Sequence, residues 1–192
     1  MKKLILIGSG GHANSVYDVI LSEKNFSIEK VIDKSSTRKF FKEFQVNNQK
    51  KFLSNNKAKK NIHLSFGSIY DLNIRLRLFK TLKKKKIYNF PIIISPRSYV
   101  SKSALIQEGS IIMHDVIVNS GVKISNNVVV NTKALIEHDV IIGDNSHIST
   151  GVIINGNVKI GKNCFVGSGS VIRENLEIPD NTFIKIGSII KK

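Results

Sequence analysis

The strongest candidate for acid–base catalysis is the segment Glu137-His138-Asp139, in which a histidine lies between two carboxylates. Imidazole titrates near neutral pH and can remove a proton from an attacking hydroxyl or amine. A carboxylate at the other ring nitrogen would fix the tautomer of the ring and stabilise the imidazolium that forms. His138 comes two residues after Ile136, which belongs to a regular set of inward-facing positions described below. We therefore expect His138 at a corner that faces solvent or a neighbouring chain, where it has no core to fill.

A second candidate site is the glycine-rich segment GSGGHA, residues 8–13, which lies between a strand-like and a helix-like stretch. The missing side chains of Gly10 and Gly11 would let backbone N–H groups reach a phosphate at the N-terminus of the helix. Asp33, at the end of the next strand-like run, lies where a dinucleotide-binding domain places a carboxylate for a ribose. The segment lacks the last glycine of GxGxxG, and a plain tight turn would explain the same glycines.

Composition limits the class of protein. The chain has 192 residues, 41% of them hydrophobic, and its one cysteine is Cys164. A disulfide within one chain and a CxxC metal motif are therefore excluded, and a reducing, cytoplasmic compartment is expected. The apolar run at residues 4–7 is too short for a signal peptide or a membrane span, and no later run approaches a spanning length.

The net charge of +16 raises the question of nucleic-acid binding, because clustered lysine and arginine displace counterions from phosphate backbones. Much of the excess lies in two lysine-rich runs, at residues 57–60 and 83–86. No aromatic RNA-binding pattern, zinc finger or leucine zipper accompanies them. A solvated basic surface is the favoured interpretation, and no nucleic-acid partner is predicted.

Residues 1–96 alternate short apolar runs with helical stretches, which is the pattern of βαβ units around a parallel sheet. Strands are predicted at residues 3–7, 28–32, 62–66 and 90–94, and helices at residues 13–23 and 70–84. Residues 35–60 carry little signal apart from a short strand near residues 44–46. This half is therefore predicted to be a Rossmann-like α/β domain.

From residue 100 onward the apolar period changes to six. Thirteen successive positions at this spacing are aliphatic: Val100, Ile106, Ile112, Val118, Ile124, Val130, Ile136, Ile142, Ile148, Ile154, Ile160, Val166 and Ile172. Three short strands, one from each of three hexapeptides, would close one coil. Stacked coils would then pair each strand with the strand three hexapeptides further along. The sequence thus predicts a parallel β-helix of hexapeptide repeats over residues 97–192, with about four coils.

A strand, the GSGGHA segment and a helix, followed by this β-helix, resemble the NeuD/PglD-like family of sugar acetyltransferases over nearly the whole chain. The resemblance implies a left-handed coil, a homotrimer built from the flat faces of three chains, acetyl-CoA as co-substrate and no metal. It also implies that the N-terminal domain, residues 1–96, binds a nucleotide-activated sugar or a sialic-acid-like sugar.

The resemblance also assigns roles to individual residues. His138 is the general base, and Asp139, which stands in place of the family's usual glutamate, is the carboxylate that orients it. Glu137 is the alternative carboxylate. Contacts to the sugar substrate fall on Gly10, Gly11, His12, Asp33, Gly67 and Asn131. Contacts to acetyl-CoA fall on His147, Gly156 and Ser168.

The leading hypothesis is N-acetylation of a nucleotide-linked amino sugar for surface glycan assembly, because a nucleotide-binding domain suits such an acceptor. O-acetylation of a sialic-acid-like sugar uses the same base and stays open. A zinc enzyme resembling the γ-class carbonic anhydrases could recruit His114, His138 and His147. The closest two of these are nine residues apart, however, whereas that family resemblance requires a nearer pair. A non-catalytic scaffold is disfavoured by the two carboxylates beside His138.

Overall fold

The N-terminal half is built on a six-stranded sheet. The structure is a computed structural model and describes residues 1–34, 40–55, 58–67 and 71–192. In chain order its elements are β1 (Lys2–Ile7), α1 (Gly11–Glu23), β2 (Phe26–Asp33), β3 (Phe40–Phe41), β4 (Phe44–Asn48), α2 (Gln49–Asn55), β5 (Lys60–Leu64), α3 (Leu72–Lys83) and β6 (Tyr88–Asn89). The strand order is β3-β4-β2-β1-β5-β6. β3 and β4 are antiparallel, and every other pair among these described strands is parallel.

The sequence accounts for the limits of α1. The helix begins after Gly10 and buries Ala13, Val16 and Ile20, which recur at helical spacing. It ends at Lys24, whose backbone is left-handed (φ 61°) and whose N–H donates a hydrogen bond to the Ile20 carbonyl at 3.4 Å. The N-terminus of α1 has no side-chain cap, so its first N–H groups are not used by a capping side chain.

α3 starts at a side-chain cap. Asp71 Oδ1 accepts a hydrogen bond from the N–H of Asn73 at 2.9 Å. Leu72, Phe79 and Leu82 are buried. The helix predicted at residues 70–84 is confirmed over residues 72–83, and residue 70 lies outside the described residues. Within the described ranges, no helix has the length and apolar character needed to cross a membrane.

The predicted Rossmann-like domain is confirmed, with one error at its end. The strands predicted at residues 3–7, 28–32, 44–46 and 62–66 correspond to β1, β2, β4 and β5. Residues 90–94 are not one further strand of this sheet. β6 closes the sheet before them, and Ile93–Ile94 pairs instead with Ile111–Ile112 in the second half of the protein. Pro91 lies between the two strands and has no N–H to donate to a ladder.

Residues 93–190 form a left-handed parallel β-helix of two-residue strands. The first face holds β7 (Ile93–Ile94), β10 (Ile111–Ile112), β13 (Val129–Val130), β16 (His147–Ile148), β19 (Phe165–Val166) and β22 (Phe183–Ile184). The second face holds β8 (Tyr99–Val100), β11 (Ile117–Val118), β14 (Leu135–Ile136), β17 (Ile153–Ile154), β20 (Val171–Ile172) and β23 (Ile189–Ile190). The third face holds β9 (Leu105–Ile106), β12 (Lys123–Ile124), β15 (Ile141–Ile142), β18 (Lys159–Ile160) and β21 (Glu177–Ile178).

The β-helix is longer than the four coils predicted, because six strands stack on each of its first two faces. Ile178, Ile184 and Ile190 continue the six-residue spacing at the C-terminal end, and Ile94 extends it at the other end. Each strand pairs with the strand three hexapeptides further along, as predicted. The second residue of each mid-stack strand points inward, and Ile142 has no exposed surface.

The N-terminal domain packs against the first face of the β-helix. One buried apolar cluster joins Ile20 of α1 to Ile93 and Ile111 of the first face. At the neighbouring corner, Asn145 Nδ2 donates a hydrogen bond to the carbonyl of Leu72, the first residue of α3, at 3.1 Å. The first face is thus largely covered within one chain, which leaves the second and third faces open.

Candidate active site

His138 lies on an exposed corner of the β-helix, between β14 on the second face and β15 on the third. Its Nδ1 atom is 3.0 Å from Oδ2 of Asp139, and more than half of each side chain is exposed. Asp139 has a left-handed backbone (φ 60°), a conformation that short carboxylate side chains tolerate. A hydrogen bond from Nδ1–H to this carboxylate leaves the lone pair on Nε2, as a general base requires.

Two glycines in neighbouring coils leave room for this pair. Gly156 lies one coil after His138, and a Cβ atom built on it would come within 2.6 Å of Cε1 and Nε2 of the imidazole. Gly121 lies one coil before Asp139, and a Cβ atom built on it would overlap Oδ1 of the carboxylate. The positions of both side chains therefore depend on glycine in the adjacent coil. The structure places Gly156 against the imidazole of His138. Its contact with acetyl-CoA stays a prediction.

Glu137 turns away from the imidazole towards the preceding coil. Its Oε2 atom accepts a hydrogen bond from Asn119 Nδ2 at 2.9 Å. Of the two carboxylates beside His138, Asp139 is thus the one placed on the ring nitrogen. The role of Asp139 in orienting the base stays a prediction.

A cavity of about 530 Å³ opens at the carboxyl edge of the N-terminal sheet, next to the ends of β1 and β2. This edge is where parallel α/β sheets bind their ligands. The lining residues are Ile7, Gly8, Ser9, Gly10, Asp33, Lys34, Gln49, Phe66, Ile74, Arg77, Leu78 and Thr81. Two cations lie among apolar side chains here, a combination that suits a ligand with both phosphate and apolar parts.

The loop at the mouth of this cavity is held by Asp33. Its Oδ2 atom accepts hydrogen bonds from the N–H of Ser9 at 2.8 Å and from the Ser9 hydroxyl at 2.7 Å. Gly8 has a φ of 113°, which favours glycine, and a Cβ on it would lie 3.1 Å from the Cβ of Phe66. The carboxylate predicted to bind a ribose is therefore shared with the loop that carries Gly10.

His12 and His147 meet in a buried polar cluster at the junction of the two domains. Their ring centroids are 6.1 Å apart, and the side chains of His63 and Arg75 complete the cluster. His63, Arg75 and His147 are at most 4% exposed. His147 hydrogen-bonds to the backbone of Gly67. His12, Gly67 and His147 are thus brought together beneath the N-terminal domain, on a different face of the β-helix from the His138 corner.

Burial sets the charge state of this cluster. It lowers the pKa of His12 to about 4, assisted by the charge of Arg75, and lowers the pKa of His147 to about 3, assisted by His12 and Arg75. Burial and the charge of Arg75 also hold the pKa of His63 well below its ordinary value. The pKa of Arg75 falls to about 9, so the guanidinium stays charged near neutral pH. Among the described residues, neither ring nitrogen of His63 has a hydrogen-bond partner.

Solved structures share the whole fold. The acetyltransferase domain of PglB from Neisseria gonorrhoeae is 25% identical and superposes with a TM-score of 0.90, covering 100% of this chain and 92% of that one. The same domain in complex with acetyl coenzyme A is 24% identical over 97% of each chain, with a TM-score of 0.78. PerB from Caulobacter crescentus, in complex with CoA and GDP-perosamine, is 20% identical over 95% of this chain and 93% of that one, with a TM-score of 0.74. No curated protein sequence matches the chain significantly.

Two family profiles match the chain, one in each domain. Residues 3–82 match the PglD N-terminal domain, and residues 139–174 match the bacterial transferase hexapeptide (six repeats). The two matches together give the domain combination of a NeuD/PglD-like sugar acetyltransferase. The hexapeptide match begins at Asp139, beside the candidate base, and the PglD match contains the whole GSGGHA loop.

In this NeuD/PglD-like protein, Asn131 and Ser168 lie at the corner between the first and second faces. Asn131 follows β13, and its Oδ1 atom accepts a hydrogen bond from the N–H of Thr132 at 2.8 Å. Ser168 follows β19, and its hydroxyl oxygen is 2.8 Å from that of Ser149. Both residues are therefore at the edge of the second face opposite to His138. Within one chain, they are not brought together with the candidate base.

The three histidines of the zinc hypothesis are also apart within one chain. His114 lies at the corner between the first and second faces, where its Nδ1 atom is 2.7 Å from the Ser95 hydroxyl oxygen. His138 lies at the next corner, and His147 lies under the N-terminal domain. Across the described parts of the chain, no group of three or more His, Cys, Asp or Glu side chains is placed to hold a metal ion.

Several residues of the site carry no signal of their own in the sequence. Gly121 and Asn119 contact the candidate catalytic string from the preceding coil, three hexapeptides before their partners. Three hexapeptides make one coil, so counting back one coil from Glu137 and Asp139 identifies Asn119 and Gly121 from the sequence. Ser9 and Arg75 carry no comparable signal, because their partners come from distant parts of the N-terminal domain.

Proposed function

We propose that this protein transfers the acetyl group of acetyl-CoA to the amino group of a nucleotide-linked amino sugar, in the cytoplasm, for surface glycan assembly. The observation that carries the proposal is the exposed His138–Asp139 pair, whose imidazole lies directly against Gly156. The relatives support the class of reaction, because the PglB domain is solved with acetyl coenzyme A and PerB with CoA and GDP-perosamine.

His138 is the base in this proposal. Acetyl-CoA supplies an acetyl group activated as a thioester. The Nε2 atom of His138 accepts the proton that the amine loses as its nitrogen bonds to the acetyl carbon. Asp139 accepts the hydrogen bond from Nδ1–H and stabilises the imidazolium. When the carbon–sulfur bond breaks, His138 returns the proton to the departing sulfur, which regenerates the base.

The nucleotide part of the substrate belongs, in this proposal, in the cavity at the carboxyl edge of the N-terminal sheet. Lys34 and Arg77 would neutralise the charge of a diphosphate, and Gly10 would bring it to the uncapped N-terminus of α1. Phe66 and Leu78 provide apolar surface for a base. Asp33 would then order the loop that carries Gly10 and meet the ribose with its remaining hydrogen-bonding capacity.

The second face of the β-helix supports a homotrimer. Its outward side chains form one apolar column: Tyr99, Ile117, Leu135, Ile153, Val171 and Ile189. Tyr99 and Ile189 are 60% and 66% exposed within one chain. Soluble monomers rarely expose a contiguous apolar strip of this length. Packing of second faces against neighbouring chains would bury the column and bring each His138 corner towards the Asn131 and Ser168 corner of a neighbour, which one chain keeps apart.

The oligomer test uses two isoleucines that are equally exposed. Ile153 on the second face and Ile141 on the third face are each 36% exposed. Ile153→Glu should dissociate the trimer, as measured by light scattering coupled to size-exclusion chromatography. Ile141→Glu should leave it assembled. A monomeric wild-type protein, or equal behaviour of the two variants, would refute assembly through the second face.

The activity test mixes purified protein with acetyl-CoA and a panel of UDP- and GDP-linked amino sugars, free amino sugars and sialic acids. Thiol release measures the transfer, and mass spectrometry with alkaline treatment distinguishes an amide product from an ester. His138→Ala should lower kcat/KM by roughly two to four orders of magnitude. Lys123→Ala, at an exposed position on the third face, is the control. Transfer that survives His138→Ala would remove the base, and an ester product would favour O-acetylation.

A further inference from the structure

The basic charge of this protein is concentrated in one domain. Residues 1–96 hold 20 of the 30 lysines and arginines but only 6 of the 14 aspartates and glutamates, which leaves a net charge of +14 there. Residues 97–192 are close to neutral by comparison, with a net charge of +2. The proposed function uses only Lys34 and Arg77 of these cations, at the cavity for the nucleotide, and leaves most of the charge without a role.

The fold gathers lysines from separate segments at the amino edge of the N-terminal sheet. The N–H of Lys2 donates a hydrogen bond to the carbonyl of Asn25, beside Lys24, at 2.9 Å. Asn61 Nδ2 donates to the carbonyl of Lys3 at 3.0 Å. On the far side, the backbone N–H of Lys60 donates to the carbonyl of Ile87, which follows the turn of Lys84, Lys85 and Lys86. A row of lysines therefore borders the sheet from α1 to α3. We call this row the basic edge; it consists of Lys2, Lys3, Lys24, Lys60, Lys84, Lys85 and Lys86.

Little negative charge offsets the basic edge. Glu29 pairs with Lys60 at 2.6 Å, and Glu108 pairs with Lys83, which directly precedes the turn. Glu23, next to Lys24, is a further carboxylate near this row, and its Oε2 atom accepts a hydrogen bond from Asn25 Nδ2 at 3.4 Å. Lys2, Lys3 and the turn at residues 84–86 are exposed. Lysines outnumber carboxylates here, so the basic edge presents a net positive field to solvent.

Exposed apolar groups lie at one end of the same edge. Met1 is 82% exposed and Leu21 is 56% exposed. Both line an open, mostly apolar cavity of about 610 Å³, together with Phe26 and Lys24. Glu43 also lines it, and its Oε1 atom accepts a hydrogen bond from the Tyr17 hydroxyl at 2.8 Å. Solvated lysines alone need no apolar neighbours. Lysines that flank exposed aliphatic side chains form instead the pattern of a surface that contacts the headgroup layer of a bilayer.

We infer that the basic edge docks onto a lipid bilayer that contains anionic lipids, with Met1 and Leu21 entering the headgroup region. The chemistry of the row favours lipid over nucleic acid, because it consists of lysines, which act as point charges, and Tyr88 at this edge is buried and cannot stack on a base. The orientation is also compatible with a ligand in the N-terminal domain, since the cavity of Gly10 and Asp33 is at the opposite, carboxyl edge.

The first experiment measures vesicle co-sedimentation of the full chain. Binding is expected to phosphatidylcholine vesicles that contain about one third phosphatidylglycerol, and to weaken when the ionic strength rises from about 0.05 to 0.5 M. Replacing Lys84, Lys85 and Lys86 together by glutamine should lower the partition coefficient about a hundredfold, at roughly fivefold per lysine. The control replaces three exposed lysines of the β-helix, Lys102, Lys123 and Lys185, by glutamine, which removes the same charge and should change binding little.

The second experiment locates the contact. The chain has no tryptophan, so Leu21→Trp introduces a single indole at the apolar end of the basic edge. Its emission should shift to the blue when anionic vesicles are added, whereas an indole introduced by Ile186→Trp, at an exposed site of the β-helix, should not respond.

Three results would overturn the inference. Equal losses of binding in the two triple-lysine variants would show that only net charge acts. Equal binding to vesicles of phosphatidylcholine alone would show that anionic lipid is not recognised. Salt-sensitive binding to duplex DNA without any binding to vesicles would assign the basic edge to nucleic acid. The transferase assay is independent of all three, so a failure here leaves the proposed function untouched.

Discussion

Gly156→Ala is the substitution that most directly tests the geometry at His138. The backbone of Gly156 is outside the left-handed region, so alanine can adopt it without strain. Its Cβ would meet Cε1 and Nε2 of the imidazole at 2.6 Å, and the ring would have to retreat by about 0.8 Å to reach an ordinary contact of 3.4 Å. A displacement of about 1 Å in a reacting group can cost on the order of a hundredfold in rate, or about 2.7 kcal/mol.

The assay compares kcat/KM with the melting temperature. Because the His138 side chain is 60% exposed within one chain, Gly156→Ala should lower kcat/KM about a hundredfold and shift the melting temperature by only a few degrees or less. In a His138→Ala background the same substitution should have almost no further effect, since the ring it displaces is gone. Unchanged kcat/KM in the single variant would refute the placement of Nε2 above Gly156, and a large loss of stability would assign the glycine to the backbone instead.

Three further predictions concern the base, the core and the domain junction. Asp139→Asn should lower kcat/KM by roughly ten- to a hundredfold, whereas Glu137→Gln should change it little, because only Asp139 lies on Nδ1. Ile142→Asp should lower the free energy of unfolding by about 5 kcal/mol or more and so unfold the β-helix, as measured by circular dichroism. Ile141→Asp places the same charge on the outward-facing neighbour and should leave the β-helix folded. The free energy of unfolding, measured in urea, should be highest above about pH 6.5 and should fall below that pH. The loss is about 1.4 kcal/mol per pH unit for each of the two histidines, and it ends at the folded pKa, about 4 for His12 and about 3 for His147. His147→Phe should weaken this pH dependence.

The sign of the acid effect follows from the buried cluster. His12 and His147 bind a proton more weakly in the folded chain than in the unfolded chain, so acidification favours the unfolded state between the two pKa values. Phenylalanine suits position 147 because the next two strands of the first face carry Phe165 and Phe183 at the same register. A flat stability profile from neutral pH down to about pH 5 would contradict the burial of these rings.

The β-helix could be predicted from the sequence because each inward position repeats the same requirement. A six-residue spacing fixes which side chains face the core, and the coil of three hexapeptides then fixes the strand register. The sequence does not predict the start of the β-helix at Ile93, since an apolar run of a few residues does not reveal which sheet it joins. α2 lies in a stretch of little periodic signal, because the helix is only seven residues long and has few apolar side chains, of which Phe52 and Leu53 pack against the core.

The candidate site divides in the same way between local and tertiary information. The contact between His138 and Asp139 is between neighbours in sequence, and the sequence suffices to propose it. The burial of His147 depends on the packing of the N-terminal domain against the first face, which no local pattern encodes. Arg75 is likewise 1% exposed, although an arginine in a helix is ordinarily expected at the surface.

In the proposed trimer, assembly and chemistry would share one surface, and that link can be tested. His138 stands at the edge of the apolar second face and is 60% exposed in a single chain, where water weakens electrostatic contacts and competes with the acceptor. Burial of the second face against a neighbour would remove this water. Ile153→Glu should therefore lose transferase activity together with the trimer, and Ile141→Glu, at an equally exposed position on the third face, should keep the trimer. A dissociated Ile153→Glu protein with full activity would show that one chain suffices for the chemistry and that the apolar column serves assembly alone.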